Sequence, residues 1–130
     1  MKFKLLFISV FLLGSITLSA QENFRRDYFY ISVYENGEWS ESEEGDNTFV
    51  FNANARGDIF HYTASGKKWV YRKLSDPEEG YTDETYEHYQ VLVILDEKGN
   101  EVILQLFDNK EIGLKLIFNA DFMIQFHNIK

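Results

Sequence analysis

The chain has no cysteine and a single proline, Pro77, in 130 residues. The first absence removes disulfides, which small secreted domains commonly use as staples. It also removes the cysteine that a lipid-anchored bacterial export signal needs at its cleavage site. Cysteine-based zinc sites go with it, and His61, His88 and His127 show no His-x-His or His-Glu-x-x-His spacing in their place. The chain has no Asn-x-Ser/Thr acceptor, no Gly-x-Ser-x-Gly elbow and no sustained helical period. Positive charge is scarce: 13 Lys and Arg face 21 Asp and Glu, a net charge of −8. That balance disfavours nucleic acid and anionic membrane surfaces, which reward clustered Lys and Arg. The longest apolar run, residues 5–13, is broken only by Ser9. It is too short to span a bilayer, which takes about 20 residues.

That run has a different use. Lys2 and Lys4 precede it, Gly14 ends it, and small and polar residues lead to Leu18-Ser19-Ala20. A basic start, an apolar centre and a small-residue end form an export signal. Cleavage is expected after Ala20, leaving Gln21 first. Residues 1–20 are then the leader and residues 21–130 a single domain. Loss of two lysines and no acid takes the net charge from −8 to −10. A mature chain of this length can bury one core without staples. The missing cysteines and glycosylation acceptors favour a Gram-negative source, so the product is expected in the periplasm or outside the cell.

What is present in quantity is short strands. Residues 27–34 read DYFYISVY, with Phe29, Ile31 and Val33 on one face and Tyr28, Tyr30, Ser32 and Tyr34 on the other. A period of two marks a half-buried strand. Asn36-Gly37 follows, a hairpin signal because the type I′ turn needs positive φ twice. Further strands are expected at residues 38–42, 47–53, 58–64, 68–74, 88–95, 101–107, 114–118 and 122–127, joined by turns at 54–57, 65–67, 96–100, 108–113 and 119–121. Only residues 75–87 form a longer irregular stretch, acidic and expected to hold at most a turn of helix. Tight connections force antiparallel neighbours. The expected fold is all-β, an antiparallel meander of about eight strands closed as a small up-and-down barrel. A two-sheet β-sandwich is the alternative.

The residues that could carry chemistry are few. His61 lies between aromatic neighbours and is expected as a half-exposed strand residue. Two acidic clusters, Glu41 to Asp46 and Asp76 to Glu84, have the oxygens calcium uses but not the spacing of a helix–loop–helix calcium loop. A solvated rim explains them as well, and neither a metal site nor a cofactor is expected. Arg56-Gly57-Asp58 spells an adhesion tripeptide where a turn wants Gly and Asp anyway. The strand aromatics are the best candidates. Trp39, Trp69, Tyr71 and Tyr62 are flat rings with polar tips that suit a stacked ligand, though aromatics also serve ordinary strand packing.

The segments ISVYENGEWSESEEGDNTFVFN, DIFHYTASGKKWVYRKLSD and IGLKLIFNADFMIQFHNIK, behind a signal ending LSAQ, resemble a group of small exported proteins of Gram-negative bacteria. The resemblance implies export and a compact β-fold. It implies no activity and carries over no functional residue. Three function classes follow. A non-enzymatic binding module comes first, its partner a protein, a glycan or a small apolar ligand. A lipocalin-like carrier with an apolar lumen comes second. A small hydrolase, with His61 or His127 beside an acidic loop residue, comes last. Intact-mass measurement of the exported product is expected to show loss of the first 20 residues. A secreted chain that still carries Met1 would refute that cleavage.

Overall fold

The computed structural model describes residues 22–129, so the leader of residues 1–20 and its cleavage point lie outside the described residues. The chain forms ten strands: β1 (Phe24–Glu35), β2 (Glu38–Trp39), β3 (Glu43–Phe51), β4 (Ile59–Tyr62), β5 (Lys68–Lys73), β6 (Glu78–Tyr81), β7 (His88–Leu95), β8 (Glu101–Phe107), β9 (Leu114–Asn119) and β10 (Phe122–His127). Apart from β2 and β6, each pairs antiparallel with the next, and β10 returns to pair with β1. The result is a closed eight-stranded up-and-down barrel with two extra strands, and not a two-sheet sandwich. Closure leaves no open sheet edge on the ring. β2 only extends the upper end of β1, and β6 pairs with the first half of β7.

The first strand departs from simple alternation. At a bulge between Tyr28 and Tyr30 β1 advances two residues while β3 advances three, from Asn47 to Glu44, and Tyr28 faces the interior below it and Ile31 above it. Phe29, expected on the same face as Ile31, is instead 51% exposed. A bulge bends its strand and re-aims the side chains beyond it. β3 pairs with Phe24 to Ile31 of β1, and β10 with Tyr30 to Glu35. The stretch 75–87 holds β6, which was not expected, followed by a single turn closed by the Tyr86 N–H on the Thr82 carbonyl at 3.2 Å. Gly80 sits opposite Tyr89 in that pairing, and the Tyr89 ring lies where a Gly80 side chain would be.

An eight-stranded barrel is just wide enough for side chains to fill it or to hold one small ligand. Here side chains fill most of it. Tyr28, Phe49, Phe51, Ile59, Tyr71, Leu92, Ile94, Leu104, Leu116 and Phe126 are all buried in one cluster. Phe49 packs edge-on to Phe126 at 4.9 Å and stacks on His61 at 4.1 Å. A cavity of about 70 Å³ remains at the lower end, between Phe51, Leu92 and Leu106. The opposite, upper end carries the turns at 36–37, 63–67, 96–100 and 120–121.

Gly113 sets the lower end of β9. Its φ is +83°, and a side chain there would meet the Phe126 carbonyl. Gly99 has a similar φ of +88° but open space around it. Gly99→Ala is therefore expected to cost only the left-handed backbone penalty, about 1–2 kcal/mol. Gly113→Ala must also displace the β10 backbone and should cost clearly more. Urea unfolding of the two variants checks this, and equal losses would refute the close approach as the cause.

Candidate functional site

β5 places Trp69 and Tyr71 two residues apart, hence on one face, and pairing with His61 and Ile59 makes that face the inner one. Phe118 of β9 reaches the same region and packs against the core. With the turn at 96–100 these three rings line a cleft of about 320 Å³ at the upper mouth of the barrel. That lies at the small end of ligand pockets, which run from about 300 to 1,000 Å³. The other two candidate aromatics are elsewhere. Tyr62 faces outward from β4 and is 39% exposed. Trp39 lies on β2, tilted against Tyr34 at 5.3 Å, with the Lys115 ammonium 5.6 Å from its ring. The four residues therefore do not share one surface. Phe118 went unnoticed in the sequence because its partners come from strands more than forty positions away.

The rim of the cleft is held by its own carboxylates. Asp96 Oδ1 accepts the Lys98 N–H at 2.9 Å and the Asn100 N–H at 2.8 Å. These bonds hold the Asp96 carboxyl below the usual carboxylate range. Glu97 Oε2 reaches across to accept the Val70 N–H at 2.8 Å. That bond ties the turn to β5 where β5 has run past its ladder with β7. Burial, then the Asp96 and Glu97 charges, push the Tyr71 hydroxyl up to about 12.

The histidines occupy three different environments. His61, expected half-exposed, is 5% exposed and stacked on Phe49. Its Nε2–H donates to Asn47 Oδ1 at 2.8 Å, leaving Nδ1 buried without a partner. Burial pushes its pKa down to about 4, so it is a neutral core residue. His127 Nε2 lies 2.9 Å from Ser32 Oγ and 3.4 Å from Ser42 Oγ. This resembles a serine–histidine pair, but Nδ1 accepts the Ile129 N–H at 3.3 Å. The proton of the neutral ring is then on Nε2, which donates to the serine and cannot take its proton. The pair ties β1, β10 and the segment after β2 together. His88 is clamped by Asp108 at 2.6 Å and Glu79 at 2.8 Å, one carboxylate on each ring nitrogen.

The adhesion tripeptide is turned inward. Asp58 is 2% exposed, and its Oδ2 accepts from Arg56 and Asn54, both at 2.9 Å, so its carboxylate is not presented to a receptor. Among the described residues no group of three or more His, Cys, Asp or Glu is placed to hold a metal ion. Among the same residues no helix is long and apolar enough to cross a membrane. Comparison with models of known protein families, with curated proteins and with solved structures found no match.

The three rings give an ordered titration. The Asp108 hydrogen bond, aided by Glu79, raises His88 above its ordinary 6.5, whereas burial lowers His127 and takes His61 to about 4. The His88 clamp is fully present below pH 6.5 and is lost as pH rises through its raised folded value. His61 acts in the opposite sense, because only the unfolded chain binds its proton as pH falls from 6.5 towards 4, and stability falls with it. NMR titration should place His88 highest and His61 lowest. His88 titrating at or below 6.5 would refute the clamp.

Proposed function

We propose that this chain is an exported, non-enzymatic binding module whose ligand site is the upper mouth of the barrel. One observation carries the reading: Trp69, Tyr71 and Phe118 converge on a cleft of about 320 Å³, room for about ten water molecules. Three rings that converge on a cleft without filling it form a stacking surface for a small ligand. The filled interior supports a shallow site over the deep apolar lumen of a carrier. The tautomer of His127 and the neutral burial of His61 support binding over hydrolysis. Export rests on the leader pattern of residues 1–20.

Native mass spectrometry of the mature chain, purified from its own host, is expected to show a small-molecule adduct. Trp69→Ala should abolish it, while Trp39→Ala and Tyr62→Ala should leave it in place. An adduct that survives Trp69→Ala and disappears with Trp39→Ala would move the site to the outer face of the barrel.

A further inference from the structure

The mouth is selective in charge as well as in shape. Its apolar walls are aromatic rings, and a ring face is the negative end of a quadrupole that attracts cations. Two carboxylates stand on the rim. Asp96 and Glu97 are fixed by backbone N–H groups, which position them without cancelling their charge. Neither makes an ion pair among the described residues. One lining residue, Lys98, is basic, so the lining carries one net negative charge. The whole chain adds its own field of the same sign, with a net charge of −8.

The Trp69 ring already holds a cation. The Lys67 ammonium sits 5.3 Å from the centre of the Trp69 ring, within the usual reach of a cation–π contact. Lys67 stands in the β4–β5 turn, where its N–H donates to Thr63 Oγ1 and its carbonyl accepts the Thr63 N–H. The turn thus fixes the start of a flexible exposed stem, and the charged end rests on the ring.

We propose that the mouth takes a small organic cation, an ammonium or guanidinium head on a short apolar stem. The head lies over the Trp69 ring on the side of the cleft that Asp96 and Glu97 also line. This rests on the mouth being the ligand site. The Tyr71 hydroxyl is raised first by its burial and then by the charges of the two rim carboxylates. An anion would meet two carboxylates and one ammonium, Lys98, in the lining. A neutral ring would stack on Trp69 but gain nothing from Asp96 and Glu97.

The chain has two tryptophans, so Trp39→Phe leaves Trp69 as the sole indole emitter. Three isosteric probes can then be titrated against the mature chain: choline, its uncharged carbon analogue dimethylbutanol, and dimethylbutanoate. Choline is expected to bind roughly tenfold more tightly than dimethylbutanol, with dimethylbutanoate weakest. Glu97→Gln keeps an oxygen for the Val70 N–H but loses the charge. It should weaken choline severalfold and leave dimethylbutanol unchanged. Lys67→Met, at an exposed turn, should tighten choline severalfold because it removes a positive charge beside the Trp69 ring. An anionic ligand would be weakened by the same change, so the sign of the Lys67→Met effect is decisive even if Glu97→Gln disturbs the turn. Equal binding of choline and dimethylbutanol would overturn the cation proposal while keeping the mouth as the site. No change in Trp69 emission with any probe would overturn both.

Discussion

The structure depends on the pairing of its first long strand with its last. Tyr30 to Glu35 of β1 run in register with His127 back to Phe122 of β10, and this ladder turns an open meander into a ring. β1 pairs with β3 on its other edge, where the ladder carries the bulge at Phe29, and Tyr30 and Ile31 belong to both ladders. Side chains reinforce the seam. Asn128 accepts the Phe29 N–H and donates to the Asp27 carbonyl, while Ser32 meets His127 across the ladder. Without this closure β1 and β10 would be free edges, and Phe126 and Ile31 would lose each other across the interior.

A ring of eight strands fixes the diameter, and the diameter decides what the interior can be. With Tyr28, Phe49, Phe51 and Phe126 all pointing inward, little space is left at mid-height. The cost of this filling is visible in the Tyr28 hydroxyl and His61 Nδ1, two of the four side-chain atoms buried without partners among the described residues, the others being Arg26 Nε and Asp58 Oδ1. Each such group costs about 1–3 kcal/mol. Where the inward residues of β5 and β9 run out, at the turn 96–100, the interior opens into a cleft larger than the cavity at the lower end. The location of the candidate site is thus a consequence of packing: aromatic residues face inward there beneath a turn.

Much of this was legible in the sequence. The period of two at β3 placed Phe49 and Phe51 inward, and the Gly-containing turns marked most strand ends, because both signals are local. The bulge was not legible, since Tyr28 and Phe29 alternate as well as any pair and only the register of β1 against β3 decides which one turns in. β6 was hidden for a related reason: EEGY has no apolar alternation, and it becomes a strand only because β5 ends early and leaves the first half of β7 unpaired. Trp69 and Tyr71 could be named as candidates from residue type and spacing. Their grouping with Phe118, and the separation of Trp39 and Tyr62 from them, depended on inner and outer faces of strands far apart in the chain.

The strands of the seam also set an orientation. Phe24 and Asn128 both lie at the lower end, where Phe24 pairs with Phe51 and Asn128 bonds to the backbone at Asp27 and Phe29. The cleft of Trp69, Tyr71 and Phe118 lies at the other end. Both ends of the described segment therefore lie on the side away from the cleft. The barrel is in that sense polar along its axis, with the start of its first strand and the end of its last at its foot and the aromatic rings at its head.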